Sequence, residues 1–314
     1  MNWIADLWRS FIGWLAESTE PVYNWFDGLL AFLPRIPFGD WIESLVDWMK
    51  NTEFIANRFN DLRDFIAFIS TDIFLSFFQL IPPIIFILIL TAVSFWFTRK
   101  KRAYGLPVLV FFGLLLIESV NYWNDMLLTL SLVLTATLIS IVVGIPLGIW
   151  MGKSNRVQQI VTPILDFMQT MPAFVYLLPA VAFFSIGMVP GVVASVIFAM
   201  PPTVRLTNLG IRQVPTEMIE ASDSFGSTSL QKLFKVQLPM AKTTIMAGVN
   251  QTIMLALSMV VIAAMIGTDG LGRQIYFAVS RNDLAMGFEA GICLVILAII
   301  LDRLTQAFNL NKMK

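Results

Sequence analysis

Glu220-Ala-Ser-Asp-Ser-Phe-Gly226, running on through Val236-Gln-Leu-Pro239, is polar and charged, yet it lies between two long apolar segments. Pro215, Glu217 and Glu220 suit the first turns of a short helix, because proline is tolerated there and carboxylates favour the positive end of the helix dipole. Gly226 ends that helix. Thr228 followed by Gln231 has the spacing of a capping box, which predicts a second helix of about two turns that stops near Pro239. A helix, a turn and a helix at a membrane surface are expected. On spacing alone, an ordinary connecting loop with Gly226 and Pro239 as punctuation accounts for the same residues.

The flanking segments set the class. Of 314 residues 57% are hydrophobic and 13% charged, far from the balance of a soluble domain of this length, so the chain belongs in a bilayer. Its 21 basic and 21 acidic residues cancel, and nothing points to nucleic acid as a partner. There is no histidine, and the one cysteine, Cys293, lies in an apolar run. That removes zinc sites, histidine acid–base catalysis and an intrachain disulfide framework. With no carboxylate cluster at ligand spacing and no catalytic constellation, neither a metal, nor a cofactor, nor an enzymatic activity is expected in this chain.

A membrane span needs roughly 20 apolar residues. The candidates are Phe74 to Phe97, Leu106 to Ser119, Met126 to Met151, Pro172 to Met188, Val192 to Val204, Thr244 to Ile266 and Leu284 to Leu301. The second and fifth are short. Pro172 and Pro179 predict a kink in the fourth, or a surface helix before it that bears Asp166 and Gln169. Basic residues gather at Arg99-Lys-Lys-Arg102, Lys153, Arg156, Arg205, Arg212, Arg303, Lys312 and Lys314, which span parity puts on one side. By the positive-inside rule that side is the cytoplasm, with the N-terminus outside and the C-terminus inside. The expected fold class is an all-α integral membrane protein of about seven transmembrane helices, with Glu220 to Pro239 facing the cytoplasm.

Residues 1–72 are acidic and rich in Trp, with six net negative charges. Trp3, Ile4, Leu7, Trp8, Phe11, Ile12 and Leu15 recur at helical spacing opposite Asp6, Arg9 and Ser10, the pattern of a helix lying in the interface. After a break from Pro34 to Pro37, a second such stretch runs from Trp41 to Met49, and a third from Phe54 to Ile69. So few basic residues favour the outer face. This region reads either as interfacial anchoring or as an outer scaffold or docking surface.

Within the spans, Gly144 and Gly148 make a small-x-x-x-small pair, which lets helices approach closely in lipid. Asn250, Met254 and Ser258 share one face of the sixth span, with Gln251 beside it. Polar groups at that depth either bond to a neighbouring helix or line a path for a solute. Glu289 is expected near the outer interface, where an ion-coupling role is the sharper alternative. Gly267-Thr-Asp-Gly270-Leu-Gly272 is expected to form an external turn or a gate at the outer mouth, since no P-loop lysine follows it.

The Glu220-Ala221 pair, Gly226 six residues after the Glu, and Val236-x-Leu238-Pro239 together resemble the EAA loop of ABC importer permeases. Ser222 and Val236 stand where that family has Ala and Ile. The surroundings narrow the likeness: Pro201-Pro-Thr-Val-Arg205 through Pro215, Leu233-Phe-Lys-Val-Gln-Leu-Pro239, Ala247 through Ala264, and Ile300-Leu-Asp-Arg-Leu-Thr-Gln306. From about Leu127 to Phe308 the chain is similar to the membrane subunit of the glycine betaine/L-proline (quaternary ammonium osmoprotectant) ABC importers.

The resemblance implies a type I ABC importer permease core over residues 122–308 with a cytoplasmic coupling loop at 205–242. Two accessory helices in 73–121 precede it, and a cytoplasmic tail, 309–314, follows. It also implies a homodimer of permeases, two cytoplasmic ABC ATPase subunits that use ATP and Mg, and an external solute-binding protein, all at a bacterial or archaeal plasma membrane. No ATP-binding motif is found, so the ATPase and the binding protein are expected on separate chains. Carried over by position, Glu220, Ala221, Ser222, Phe225, Gly226, Leu238 and Pro239 form the ATPase-coupling element. Glycine betaine or proline betaine is the expected solute class, with choline, carnitine or another small solute as the alternative. A secondary transporter predicts internal repeats or charged spans, and the sequence offers no convincing pair of repeats and few charges inside the spans.

Overall fold

The computed structural model describes residues 2–30, 37–99 and 104–311, apart from the side chains of 2–7, 22–24, 26–30, 38 and 308–311. The chain forms two compact units, Met1–Glu53 and Phe54–Lys314. The first holds α1 (Asn2–Leu30) and α2 (Phe38–Asn51). Trp8, Phe11, Ile12 and Leu15 of α1 and Trp41, Ile42, Leu45 and Trp48 of α2 are all exposed, as helices made to lie in an interface require. The side chains of Trp3, Ile4 and Leu7, and residues 34–36 of the proline break, fall outside the described residues.

The second unit opens on α3 (Glu53–Ala67), which continues through a π-helical stretch, Phe68–Leu75, into α4 (Ser76–Leu80). The boundary expected at residue 72 therefore falls inside a continuous helix. Packing explains this: Phe59 stacks on Phe183 with centroids 4.3 Å apart, Ile66, Ile69 and Ser70 are buried, and the Ser131 hydroxyl donates to the Ser70 carbonyl. The single span expected from Phe74 to Phe97 is also corrected, to a pair of helices bent by 96°. Residues before proline are pushed out of the helical region, and Ile81 (ψ 120°) and Pro82 (ψ 141°) are both extended before Pro83 starts α5 (Pro83–Thr98).

There follow α6 (Gly105–Ser119), α7 (Trp123–Lys153), α8 (Asn155–Thr170), α9 (Ala173–Phe184) and α10 (Met188–Arg212). The break at Met171-Pro172 turns α9 by 100° from α8, the expected kink with its preceding amphipathic helix. Beyond the central loop come α13 (Leu238–Ala263), α14 (Leu271–Arg281) and α15 (Leu284–Asn311). Among the described residues four helices are long and apolar enough to cross a membrane, or six if each bent pair counts as one span. The second candidate, Leu106 to Ser119, is α6, a shorter apolar helix of 15 residues.

The segment from Gly267 to Asp283, which lies between the sixth and seventh candidate spans, contains α14. Gly267 and Gly270 take positive φ, and the turn they make is tied down by two hydroxyls. Thr268 donates to the Gly187 carbonyl at 3.1 Å, and Thr129 accepts from the Leu271 amide at 2.9 Å. Gln274 adds a bond to Asp125 at 3.1 Å.

At the centre α10 is packed between α7 and α13. Gly144, Gly148 and Gly152 of α7 face Thr203, Thr207 and Ile211 of α10, extending the predicted small-residue pair by another turn. A Cβ on Gly148 would fall 2.6 Å from both Thr207 Cβ and the Val204 carbonyl oxygen, so no larger residue fits without moving backbone. On the other side the Thr203 hydroxyl lies 2.8 Å from that of Thr252, and Thr252 donates to the Ala199 carbonyl at 2.8 Å. Thr252 spends its proton on Ala199, so Thr203 must donate to Thr252, and the relay ties α13 to α10 beside the Pro201-Pro202 pair.

Three substitutions test this packing. Gly148→Ala is expected to lower the thermal midpoint of the purified protein, while Gly291→Ala, where an added Cβ meets nothing within 4 Å, leaves it unchanged or raises it. Thr252→Val removes both bonds and is expected to destabilise by about 1 kcal/mol, the scale of interhelical hydrogen bonds in membrane proteins. Equal midpoints for all three variants and the parent would contradict the close-packed seam.

Candidate functional site

Between α10 and α13 the chain makes the expected helix, turn and helix. Val214 is buried at the end of α10, and Pro215 (φ −54°, ψ 136°) leads into α11 (Thr216–Ser224) with Glu217 in its first turn. Glu220 and Ala221 are exposed, and the Glu220 carbonyl accepts from Ser224 Oγ at 2.9 Å. Ser222 faces inward, 8% exposed, its hydroxyl without a partner among the described residues. The helix closes as a Schellman motif: the Ser227 amide bonds to the Ser222 carbonyl at 3.2 Å and the Gly226 amide to Asp223 at 2.9 Å. That closure needs the left-handed φ of +74° at Gly226.

Thr228 then caps α12 (Ser229–Lys232) through both halves of the predicted box. Its amide donates to Gln231 Oε1 at 2.9 Å, and its hydroxyl accepts from the Gln231 amide at 3.3 Å. An ion pair between Lys232 and Asp223 joins α12 to α11. It is partly exposed and worth at most about 1 kcal/mol, so the two caps do more to define the turn.

The second helix does not stop near Pro239. A π-helical turn, Leu233–Gln237, passes directly into α13, giving one helix from Ser229 to Ile266. Proline inside a helix lacks the donor for the fourth carbonyl back and its ring clashes there. Widening the preceding turn relieves both, so Pro239 sits in the first turn of α13 rather than ending a helix. Leu233 is buried with Ile211, Ala241 and Ile245, and Leu238 packs beside them, which seats the loop on the ends of α10 and α13. Facing away, Phe225 is 90% exposed, Leu230 66% and Phe234 64%. Three large apolar side chains exposed close together in sequence on a structured turn form an apolar patch, the kind of surface found at protein–protein contacts.

The second group, Asn250, Met254 and Ser258, is divided. Asn250 Nδ2 donates to Asp302 Oδ1 of α15 at 2.8 Å. Met254 and Ser258 stay exposed with Ala247 and Gln251, a stripe along one side of α13 that the described chain leaves uncovered. Glu289 is exposed at the start of α15; burial first, and the Glu289 carboxylate after it, raise the pKa of Tyr122 in the turn before α7. Asp302 was missed in the sequence reading, although its spacing from Gln306, one helical turn, was the available signal. Arg212 was read only as a charge marker. It holds the Met151 carbonyl at the end of α7 at 2.8 Å and Asn208 at 2.9 Å, while Arg205 pairs with Asp166 of α8.

Residues 144–312 match the family of binding-protein-dependent transport system inner membrane components. The chain belongs to this family. The permease is 63% identical over 277 residues to the glycine betaine/carnitine transport permease protein GbuB of Listeria monocytogenes, covering 88% of this chain and 97% of that one. It is 54% identical to the glycine betaine transport system permease protein OpuAB of Bacillus subtilis, over 89% of this chain and 97% of that one. With the glycine betaine/proline betaine permease protein ProW of Escherichia coli it shares 46% identity, over 94% and 81%. Its fold is similar to that of a chain of the inward-facing MetNI methionine ABC transporter, with a TM-score of 0.56 at 21% identity over 60% of this permease and 94% of that chain. The architecture is thus that of an ABC importer membrane subunit.

Gly226→Val puts a β-branched residue at φ +74°, a conformation that costs L-residues about 1–2 kcal/mol. It is expected to lower solute uptake by the permease at unchanged abundance in the membrane. Uptake equal to that of the parent would remove the Gly226 turn from the working parts of the protein.

Proposed function

We propose that this chain is the permease subunit of an ATP-driven, binding-protein-dependent importer of glycine betaine and proline betaine type solutes. The observation that carries the solute class is the shared term in three relatives: glycine betaine stands in the name of each, while carnitine and proline betaine stand in one apiece. The exposed Phe225, Leu230 and Phe234 on the capped turn support the class of machine, because they offer a docking surface to a cytoplasmic ATPase.

In this reading two copies of the permease meet two ATPase subunits, which bind ATP and Mg, and an external binding protein delivers the solute. Glu220, Ala221, Ser222, Phe225 and Gly226, with Leu238 and Pro239, form the coupling element. Closure of the ATPases draws the two coupling elements together and rocks the helices between inward- and outward-facing states. The open stripe of Gln251, Met254 and Ser258 lines the path between the copies. The gathered basic residues support a cytoplasmic coupling loop and C-terminus and an outer N-terminus.

The test is uptake of labelled glycine betaine into proteoliposomes holding this chain with its co-purified ATPase and binding protein, with and without ATP on the ATPase side. ATP-dependent accumulation that unlabelled betaine competes away is the expected result. Hydrolysis without betaine entry would overturn the solute, and the absence of a co-purifying ATPase would overturn the machine.

A further inference from the structure

Asp302 lies at the end of the last apolar stretch, on the face of α15 turned to α13, with 22% of its side chain exposed. Its Oδ1 accepts from Asn250 Nδ2 of α13 at 2.8 Å, and Gln306 Nε2 donates to Oδ1 at 2.8 Å and to Oδ2 at 2.9 Å. Arg303 Nε is 4.0 Å from Oδ2 on a side chain 62% exposed, so water competes for that contact. Only the amide nitrogen of Asn250 can face a carboxylate, and its Oδ1 is buried without a partner among the described residues. Asp302 alone therefore fixes how that side chain points. Bonds to a charged acceptor are roughly twice as strong as neutral ones, and separating this pair would leave a mostly buried carboxylate short of a donor.

Around it the seam between the two helices is apolar, with Val249, Ile253 and Leu257 of α13 and Cys293, Leu297 and Ile300 of α15 in one cluster. Apolar contact is non-directional and resists sliding weakly. A directional bond across the same seam fixes the register of one helix against the other. Asn250 also stands on the helix that runs unbroken from Ser229, so it moves with the capped turn although it lies roughly 30 Å along the helix from its start. α15 packs directly on that helix, and also on α7, which meets α10, the helix from which the turn leaves.

Resting on the coupling role given above to Glu220 through Pro239, we propose that Asp302 is a positioning residue for transport. It makes α15 follow α13 when the coupling element is displaced. Because α15 packs on α14 and α6, the movement then reaches the amphipathic helix Leu271–Arg281 at the other end of the protein.

The experiment compares Asp302→Leu and Asp302→Asn with the parent in the reconstituted complex, measuring betaine taken up per ATP hydrolysed. Asp302→Leu is expected to keep hydrolysis and lower that ratio roughly five-fold or more, the low end of a typical coupling between sites. Asp302→Asn, which still offers an acceptor to Asn250, is expected to recover most of it. If Asp302→Leu does not assemble, Asn250→Ala cuts the same bond while Gln306 remains on the carboxylate. It should lower the ratio likewise; where Asp302→Leu does assemble, adding Asn250→Ala to it should cost nothing more. An unchanged ratio, or hydrolysis and uptake falling together in proportion, overturns the proposal. If Gly226→Val uncouples the complex while Asp302→Leu does not, only the role of Asp302 fails; if the parent itself shows no ATP-dependent uptake, the coupling reading fails and the proposal with it.

Discussion

The close approach of α10 to its two neighbours is the constraint on which the second unit depends. In lipid no hydrophobic force draws one apolar helix to another, so contact has to come from shape and from directional bonds. Glycines on α7 let α10 settle almost backbone to backbone on one side. The Thr203–Thr252–Ala199 relay holds it on the other, beside the two prolines of α10. Everything that bears on transport hangs from this trio: the capped turn leaves the end of α10, returns as α13, and rests on a few apolar side chains between them.

The capped turn was legible because its chemistry is local. Pro215, Gly226 and the Thr228–Gln231 pair each act within four residues, and each is found in the role its type and spacing indicate. The glycine pair of α7 was legible for a related reason, since few roles other than close packing suit small residues one turn apart in a span. Pro239 misled because a proline in sequence signals a helix end, and the widened turn that accommodates it leaves no mark of its own.

What the sequence hid is tertiary. Asp302 and Asn250 are 52 residues apart, and nothing in either neighbourhood says that the other exists. The long helix Glu53–Leu80 likewise depends on Phe183 and Ser131, far along the chain, to bury a stretch whose own pattern reads as a surface helix. α14 is not among the expected elements because its amphipathic pattern falls in a short polar segment between two strongly apolar ones.

The corner at Ile81-Pro82-Pro83 has a consequence for the surrounding bilayer. The rings of both prolines lock φ at two successive positions, which narrows the range of the 96° bend while ψ of Ile81 and Pro82 stays free. Beyond it, α5 with 16 residues and α6 with 15 are about 24 Å and 22 Å long, against a hydrocarbon layer of about 30 Å. Apolar helices shorter than that layer are accommodated by local thinning of the bilayer, by flanking side chains that reach for the interface, or by association with other helices.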